Sequence, residues 1–487
     1  MTAEPLRVLY VTSECAPLAK TGGLADVSAA LPAALLRMSV DVRILMPAYR
    51  GLLAKLPAAT EIAQLPASGP FPAARLMQAK SQGEVPLLLI DCPQLYERAG
   101  GPYQDAAGAD WPDNAARFGL LSHIAAELAG ERSPLAWRPQ VVHCNDWQAG
   151  LAPAYLRFDP QARARALITI HNLAFQGVYD ADWAARLALP EGSFSVDGLE
   201  YYGKISFLKA AIRYADAINT VSPTYAGEIQ REPLGMGLQG LLAERRGVLS
   251  GILNGIDTTL WDPRRDALIA SPFGARSLES KRANKRALQA QLGLREDADL
   301  PLLAMVSRLT EQKGIDVLLE AGDALLGLPA QLAVLGTGER GYENKLAQFA
   351  ARYPGMASAT IGFDETLAHR IEAGADVFLM PSRFEPCGMN QMYSQRYGTV
   401  PVVHATGGLV DSVVDCTAET LAARRATGFV FDEPSAQGLL QGVRRALETY
   451  RNPPAWRAVQ TAGMARDFSW AASARRYIEI YARLAGA

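Results

Sequence analysis

The segment Arg7–Val27, RVLYVTSECAPLAKTGGLADV, decides which fold to expect. Its first part, RVLYVTS (Arg7–Ser13), is apolar on both sides of the strand alternation, which is typical of a strand buried inside a parallel sheet. A loop with Gly22 and Gly23 follows, and a helical pattern begins there. The order of strand, glycine loop and helix predicts the first unit of an α/β domain.

The same alternation continues in both halves of the chain and predicts an α/β fold with two doubly wound, Rossmann-like domains. The further predicted strands are Asp41–Pro47, Pro86–Asp91, Val141–Asn145, Ala166–His171 and Ala217–Ser222 in the first half, and Leu302–Arg308, Gln331–Gly336, Asp376–Ser382 and Val400–Ala405 in the second. Gly, Asn, Asp and Pro cluster in Gly247–Pro263, so we expect domains at 1–250 and 251–466. The remaining stretch, 467–487, predicts a helix, with Ser469 as its N-cap and Trp470, Ala474, Tyr477, Ile478 and Tyr481 near helical spacing.

Composition narrows the class of protein. The chain has 487 residues and a formal net charge of −2, so its overall charge favours neither nucleic acid nor an anionic membrane as a partner. Its five cysteines are scattered and form no Cys-x-x-Cys pair, which argues against a disulfide framework or structural zinc. The first residues lack a signal-peptide pattern, and no apolar run reaches membrane-spanning length. A cytoplasmic location is therefore expected.

Five unusual motifs follow or end predicted strands. In doubly wound sheets, ligands bind at the carboxyl ends of the strands, so this shared placement predicts one functional site. The motifs are Lys20–Gly23, His143–Trp147, His171–Asn172, Ser307–Lys313 and Arg383–Gly388.

Three cations in these motifs predict recognition of a diphosphate. Lys20 precedes a glycine pair at a helix start, where backbone N–H groups attract anions, and Arg308 and Lys313 flank a loop. The alternatives are a glycine turn and solvated surface cations. A β-lactamase reading of Lys-Thr-Gly is excluded because Ser-x-x-Lys comes after it and no Ser-Asp-Asn exists, and a Walker A loop would place its lysine after the glycines. Gly336–Gly338 predicts a second glycine turn.

Carboxylates and histidines in the motifs predict contact with sugar. Glu385 could accept hydrogen bonds from hydroxyls and stabilise positive charge at an anomeric carbon, or it could simply favour a helix N-terminus. A glycosidase pair of Asp146 and Glu385 is disfavoured because the two residues lie in different predicted domains. A metal site of His143, Asp146 and His171 is disfavoured because it lacks helical i, i+4 spacing.

Seven segments in order resemble the ADP-glucose-dependent starch and glycogen synthase family, from about Val8 to Tyr481. They are KTGGLADV, HCNDWQAGL, HNLAFQG, NGID, SRLTEQKG, RFEPCGMNQMYSQRYG and PVVHATGGLVDSV. The resemblance implies a GT-B fold, in which two Rossmann-like domains face a deep cleft and the last helix packs back on the first domain. It also implies transfer of glucose from ADP-glucose to the non-reducing end of glycogen or another α-1,4-glucan, with retention of configuration and with no cofactor or metal.

The resemblance also assigns roles to individual residues. Arg308 and Lys313 would bind the departing diphosphate, Glu385 the donor glucose, and His171 would face the sugar. The implied catalytic residues are Glu385, His171, Lys313, Arg308 and Asp146. The implied ADP-glucose-binding residues are Lys20, Gly22, Gly23, Asp26, Asn172, Asn254, Cys387, Gly388, Tyr103 and Trp147.

The sequence departs from the family pattern at two places. Met389 and Asn390 replace the usual Leu and Thr after EPCG, and Tyr393 stands where many relatives of this fold carry a ribose-binding glutamate.

Two alternatives to this function remain open. One is a related transferase that uses UDP-glucose or another acceptor, and the other is a glucan-binding scaffold that has lost catalysis.

Overall fold

A computed structural model describes residues 5–486, which separate into two compact units. The first unit comprises the described residues up to Gly255 together with those from Trp470 onward, and the second unit is Ile256–Ser469. The chain passes between the units inside the Gly- and Asn-rich stretch that predicted a boundary. Among residues 5–486, no helix combines the length and the apolar character needed to cross a membrane.

The first unit is built on a nine-stranded sheet with a separate three-stranded sheet beside it. Its strands are β1 Arg7–Val11, β2 Asp41–Pro47, β3 Thr60–Leu65, β4 Ala74–Lys80, β5 Pro86–Asp91, β6 Val141–Asn145, β7 Arg165–Ile170, β8 Val178–Asp180, β9 Glu200–Tyr201, β10 Lys204–Ser206, β11 Ala217–Thr220 and β12 Leu249–Gly251. The large sheet has the order β12-β11-β7-β6-β1-β2-β5-β4-β3, parallel except for β3 and β4 at one edge. The small sheet is antiparallel, in the order β8-β10-β9.

Helices complete the first unit and cover both faces of the large sheet. They are α1 Gly23–Arg37, α2 Pro93–Tyr96, α3 Asn114–Ala129, α4 Ala152–Phe158, α5 Trp183–Arg186, α6 Phe207–Tyr214, α7 Pro223–Glu228 and α8 Gln239–Glu244. Alternate residues of β1 enter two different cores: Leu9 and Val11 belong to one, and Val8 and Tyr10 to the other. Every strand residue after Arg7 is therefore buried, which explains the uninterrupted apolar run.

The second unit is a six-stranded, fully parallel sheet in the order β15-β14-β13-β16-β17-β18. Its strands are β13 Leu302–Leu309, β14 Gln331–Gly338, β15 Ala357–Ile361, β16 Val377–Met380, β17 Val400–His404 and β18 Phe429–Phe431. Its helices are α9 Lys281–Gln291, α10 Ile315–Leu326, α11 Arg340–Arg352, α12 Glu365–Gly374, α13 Asn390–Arg396, α14 Gly407–Ser412, α15 Ala418–Ala422, α16 Ala436–Tyr450 and α17 Pro453–Met464. Leu303 and Leu302 again face two different cores.

The last helix, α18 (Trp470–Ala485), packs on the sheet of the first unit. His143 on β6 contacts the Tyr481 hydroxyl at 2.8 Å through Nδ1 and the Thr169 hydroxyl at 2.8 Å through Nε2. Asn219 on β11 donates to the Tyr477 hydroxyl at 2.9 Å. These buried hydrogen bonds fix the register of the helix on the sheet, because a shifted helix would leave the polar groups without partners.

Predicted and observed strands differ mainly at their ends. β2, β5 and β6 have the predicted bounds, whereas β1 ends two residues earlier, at Val11. The predicted turn at Gly336–Gly338 is wrong, because these residues continue β14 alongside β13. A Cβ atom on Gly336 would lie 2.0 Å from the Ser307 carbonyl oxygen, so glycine serves close strand approach here.

Candidate active site

In the first unit, the candidate residues begin with the loop between β1 and α1, which Glu14 organises. This carboxylate is only 3 % exposed, and it accepts hydrogen bonds from the Thr21 backbone N–H at 2.5 Å and the Gly22 N–H at 3.3 Å. It also accepts from the hydroxyls of Thr21 and Tyr103. The prediction that successive N–H groups of this loop stand open for an anion is thus wrong for Thr21 and Gly22, because a neighbouring carboxylate uses both.

Lys20 lies at the exposed rim of the same loop. Its Nζ atom is 2.7 Å from Asp26 Oδ1, and both side chains are partly exposed, at 45 % and 34 %. A pair in such contact with water contributes little to stability, so Lys20 can exchange Asp26 for another anion at low cost. A Cβ atom placed on Gly22 would meet nothing within 4 Å, which means that open space lies above the loop.

Asp146 and His171 meet at the carboxyl ends of β6 and β7. Asp146 Oδ1 accepts from the backbone N–H of His171 at 2.7 Å and more distantly from that of Asn172, at 3.5 Å. Asp146 has φ +54°, a left-handed conformation that is uncommon for a residue other than glycine and frequent at functional sites. Burial raises the pKa of the Asp146 carboxyl to about 7, against the opposing effect of these two N–H donors.

His171 is held as a neutral ring. Its Nε2 lies 3.0 Å from Asn145 Oδ1, and the Asn145 amide nitrogen donates to the Val11 carbonyl at 3.1 Å. The amide orientation therefore makes Nε2 the protonated nitrogen and leaves the lone pair on Nδ1. Burial lowers the pKa of His171 to about 3. At neutral pH, His171 can orient a hydroxyl by hydrogen bonding but cannot act as a cationic acid.

The raised pKa of Asp146 predicts a pH-dependent stability. The folded state holds the Asp146 proton more tightly than the unfolded chain, so this contribution is complete below pH about 4 and is lost as the pH rises to about 7. Asp146→Asn should therefore match wild type at pH about 4 and exceed it by up to roughly 4 kcal/mol at pH about 8. Urea unfolding at both pH values measures the difference.

A control variant and a contradicting result complete this experiment. Asp182→Asn removes a carboxylate that is 63 % exposed and should change the stability by a similar small amount at both pH values. If the stabilities of Asp146→Asn and wild type change in parallel between pH 4 and 8, Asp146 is ionised in the folded protein throughout that range. That result would contradict a raised pKa for the Asp146 carboxyl.

Tyr103 and Trp147 belong to an aromatic cluster beneath the first-unit site. Trp147 lies edge-on to Phe118, with ring centroids 5.0 Å apart, and 6.4 Å from the Tyr103 ring. Gly177 has φ +61°, and a Cβ atom there would lie 2.4 Å from the Trp147 ring, so this glycine is required for the packing. Elsewhere in the same unit, the Asn254 side chain is buried and its Oδ1 makes no hydrogen bond within the described chain.

In the second unit, the candidate residues centre on a partly buried ion pair. Lys313 Nζ lies 2.5 Å from Glu385 Oε2, and the two side chains are only 18 % and 6 % exposed. The Ser382 hydroxyl donates to the same oxygen at 3.1 Å. Arg308, near the end of β13, is exposed, and its guanidinium lies 3.4 Å from the Gln312 side-chain oxygen. A buried carboxylate, a half-buried ammonium and an exposed guanidinium therefore lie at the carboxyl end of the sheet.

Glycines hold the segment that carries Glu385. Gly407 has φ +44°, and a Cβ atom there would lie 2.0 Å from the Glu385 carbonyl oxygen, which accepts from the Gly408 N–H at 3.0 Å. Cys387 is buried beside Gly408, and Gly388 has φ +70°. The loop after β17 therefore braces the EPCG segment by direct backbone contact.

The two departures from the family pattern are part of this packing. The Asn390 side chain donates to the Val306 carbonyl at 2.5 Å and so ties α13 to β13. Tyr393 stacks on Trp261, with ring centroids 3.9 Å apart and planes inclined by 16°. Tyr393 thus supports the core where a ribose-binding carboxylate was considered.

Sequence reasoning missed two residues at strand ends. Glu14 had no motif to mark it, although a carboxylate directly after a buried strand is itself a signal. Phe363 follows β15 and is 80 % exposed, an aromatic face at the carboxyl edge of the second sheet.

Within residues 5–486, no group of three or more His, Cys, Asp or Glu side chains could hold a metal ion. Both nitrogens of His143 are already engaged in the contacts to Tyr481 and Thr169.

Comparisons with known proteins identify the family of the chain. Residues 7–244 match the starch synthase catalytic domain, and residues 287–459 match glycosyl transferases group 1. A glycogen synthase from Nitrosomonas eutropha is 54 % identical over 98 % of this chain and 96 % of its own length. One from Aromatoleum aromaticum is also 54 % identical, over 100 % of this chain and 98 % of its own length.

Solved structures add the fold. The catalytic domain of starch synthase IV from Arabidopsis thaliana, bound to ADP and acarbose, superposes with a TM-score of 0.88 at 30 % identity, over 99 % of this chain and 100 % of its own. Sucrose-phosphate synthase from Thermosynechococcus elongatus has a TM-score of 0.60 at 18 % identity, over 98 % and 99 % of the two chains, and shows the fold alone. The predicted fold class, α/β of the GT-B type, is confirmed. The resemblance found in the sequence is confirmed as well, and the chain belongs to the starch and glycogen synthase family of GT-B glycosyltransferases.

Proposed function

We propose that this protein transfers glucose from ADP-glucose to the non-reducing end of an α-1,4-glucan, with retention of the anomeric configuration. The observation that carries the proposal is the partly buried Lys313–Glu385 pair, together with the exposed Arg308, in a chain that belongs to this family. The pair places one negative and one positive group together at the carboxyl ends of neighbouring strands. Such a pair suits a reaction that separates charge between a sugar and a diphosphate.

The charges match the two halves of the breaking bond. When the anomeric C–O bond breaks, the diphosphate gains negative charge, which Lys313 and Arg308 would stabilise as ADP leaves. The sugar gains positive charge at its anomeric carbon, which the Glu385 carboxylate would stabilise. We propose front-side attack by the acceptor hydroxyl, with the leaving phosphate accepting its proton.

The first unit would complete the donor site. Lys20 would release Asp26 and bind the diphosphate, and the neutral His171 would hold a sugar hydroxyl through Nδ1. The buried, unpartnered oxygen of Asn254 offers a further acceptor for a hydroxyl. Exclusion of water during transfer would keep ADP-glucose from being hydrolysed.

The nucleoside end has its own proposed contact. No carboxylate occupies the position of Tyr393, so the ribose is not expected to be recognised there. The exposed ring of Phe363 provides a flat apolar face on which a purine would stack. Recognition of the base by stacking tolerates different bases better than hydrogen bonding does, so some use of UDP-glucose is consistent with this site.

Gly22→Ala tests whether the diphosphate approaches the first-unit loop. Gly22 has φ −159°, which any residue adopts, and its Cβ position is open, so the variant should unfold at the wild-type temperature. The added methyl group should nevertheless fill the space above the loop and raise the KM for ADP-glucose by about 10-fold. The matched control is Gly227→Ala, whose Cβ position is equally open in α7. An unchanged KM in Gly22→Ala would show that the diphosphate does not contact this loop.

The decisive experiment incubates the protein with labelled ADP-glucose and glycogen and digests the product with α-amylase. Label that is incorporated and then released by α-amylase verifies α-1,4 transfer. A parallel reaction with labelled UDP-glucose separates the two donors, and faster incorporation from UDP-glucose would replace ADP-glucose in the proposal. Retention on glycogen without ADP release would instead indicate a glucan-binding protein without catalysis.

A further inference from the structure

Arg117 is a buried cation that the proposed reaction does not use. It lies near the start of α3, and its side chain is fully buried. Among the residues that the structure describes, no carboxylate forms an ion pair with it, and the nearby Asp113 pairs with Arg98 at 2.8 Å instead. A charge removed from water without an ionic partner is unfavourable, and burial accordingly lowers the pKa of the guanidinium. An apolar side chain would fill this place at a lower cost, so packing alone does not account for the arginine.

Aromatic rings surround the charge in place of a carboxylate. The guanidinium carbon of Arg117 lies 5.9 Å from the ring centroid of Tyr49, 5.8 Å from that of Tyr96 and 5.5 Å from that of Phe118. These distances are within the range of cation–π contacts, which partly offset the cost of burial. The rings also restrict the guanidinium to one place, so its hydrogen bonds have fixed directions.

Arg117 donates these hydrogen bonds to the segment that contains Tyr103. Its Nε donates to the Leu95 carbonyl at 2.9 Å, and its Nη1 donates to the Pro102 carbonyl at 2.7 Å. The same Nη1 donates to Asn114 Oδ1 at 2.6 Å, and the Asn114 amide nitrogen donates in turn to the Tyr103 carbonyl at 2.9 Å. The backbone carbonyls on both sides of the Tyr103 Cα atom are therefore held from α3.

The Tyr103 hydroxyl extends this restraint to the loop between β1 and α1. It lies 2.7 Å from the Ser13 hydroxyl and donates to Glu14 Oε1 at 2.5 Å. Glu14 accepts from the hydroxyl and the N–H of Thr21 and from the Gly22 N–H. The Tyr103 hydroxyl is thus engaged within the protein, and its acceptor is the carboxylate that orders the loop.

We propose that Arg117 is a positioning residue for the Lys20 loop (Lys20–Gly23), on which it acts through Tyr103 and Glu14. Arg117 holds the backbone around Tyr103, the Tyr103 hydroxyl holds Glu14, and Glu14 holds the loop. The loop is thereby fixed before a ligand arrives, which removes the cost of ordering it during binding. The inference rests on the proposed function, in which this loop contacts the diphosphate. Tyr103 then contributes to donor binding through Glu14 and not by touching the donor.

Arg117→Lys tests the first link. Lysine keeps the positive charge but lacks the planar fork that reaches the Leu95 and Pro102 carbonyls together. The variant should raise the KM for ADP-glucose by about five- to tenfold and leave kcat within about twofold of wild type, because a loosened loop weakens binding more than transfer. The dissociation constant for ADP, measured by titration calorimetry, should rise by a similar factor.

Asn114→Ala is the second variant for this link, because it removes the contact between the guanidinium and the Tyr103 carbonyl. It should change the KM in the same direction, and it decides the test if Arg117→Lys does not fold. An unchanged KM in Arg117→Lys, or in Asn114→Ala where it replaces that variant, would overturn the proposal.

Tyr103→Phe and Tyr96→Phe form a matched pair for the second link. Each removes one tyrosine hydroxyl from the same core, and the Tyr96 hydroxyl donates to the backbone carbonyl of Arg117 at 2.7 Å rather than to Glu14. Both variants should lower the unfolding temperature by a similar amount. Only Tyr103→Phe should raise the KM for ADP-glucose, by about fivefold or more. Equal KM values in the two variants would overturn the proposal.

Glu14→Gln shows whether Tyr103 acts through this carboxylate. The amide replaces one acceptor oxygen with a donor, so the variant should itself raise the KM for ADP-glucose. Adding Tyr103→Phe to Glu14→Gln should then raise the KM no further, because effects exerted through one shared group are not additive. A further rise as large as that in the wild-type background would overturn the proposal by showing that Tyr103 contacts the donor directly. If the wild type transfers no glucose but binds ADP with an affinity that Tyr103→Phe lowers, the proposed function fails while the positioning role stands.

Discussion

Glu385→Gln should lower turnover by about 10²–10³-fold or more, while ADP-glucose still binds. The substitution keeps the shape of the side chain and removes the negative charge that would face the anomeric carbon. Steady-state kinetics with ADP-glucose and glycogen measure the effect, which should appear in kcat more than in KM because the lost interaction strengthens in the transition state.

Lys313→Met separates the catalytic effect from stability. Alone, it leaves the Glu385 carboxylate buried without its partner and should destabilise the protein by about 3 kcal/mol. Combined with Glu385→Gln, it leaves a neutral pair and should recover most of that loss. Turnover should stay low in all three variants. Recovery of turnover in the double variant, or near-wild-type kcat in both single variants, would exclude the pair from the chemistry.

Gly407→Ala should impair both stability and activity. The new Cβ atom would lie 2.0 Å from the Glu385 carbonyl oxygen, and φ +44° is itself unfavourable for alanine. Relief of the contact must move the backbone of Glu385 or of the loop. We expect a loss of at least about 2 kcal/mol in unfolding free energy, and a fall in kcat of about 10²-fold from misplacement of the carboxylate.

The matched control is Gly341→Ala in α11, where a Cβ atom meets nothing within 4 Å. This variant should be at least as stable as wild type, because alanine favours the helix, and its kcat should be unchanged. A Gly407→Ala variant with the stability and kcat of its control would mean that the brace is not needed to hold Glu385.

The central strands were predictable because of their environment. β5 and β6 are buried along nearly their whole length, and β2 is buried from Ile44 onward, so each strand shows a run of buried residues with a clear end. The edge strands β3 and β4 mix exposed and buried positions. The strands of the small sheet have only two or three residues. A single sequence gives too little periodicity in such segments to mark a strand.

The predicted strand ends located the candidate residues in the fold, but they did not predict the contacts between the side chains. Lys313 and Glu385 were assigned separately, 72 positions apart, and their contact depends on the relative placement of β13 and β16. The Glu14 contacts and the protonated nitrogen of His171 depend on side-chain orientations that spacing along the chain does not encode. Motifs therefore predicted the set of candidate residues, and tertiary packing fixes their protonation and partners.

The position of α18 has a consequence for the order of events during synthesis. One face of the first sheet needs Tyr477 and Tyr481, which the ribosome adds only after the whole second unit. More than two hundred residues separate Gly255 from these tyrosines, which corresponds to roughly 10–50 s of translation. While Ile256–Ser469 emerges, one face of the first sheet is therefore still incompletely covered. The second unit is thus fully synthesised before the first unit is. Emergence of α18 is therefore the event that completes the core of the first unit.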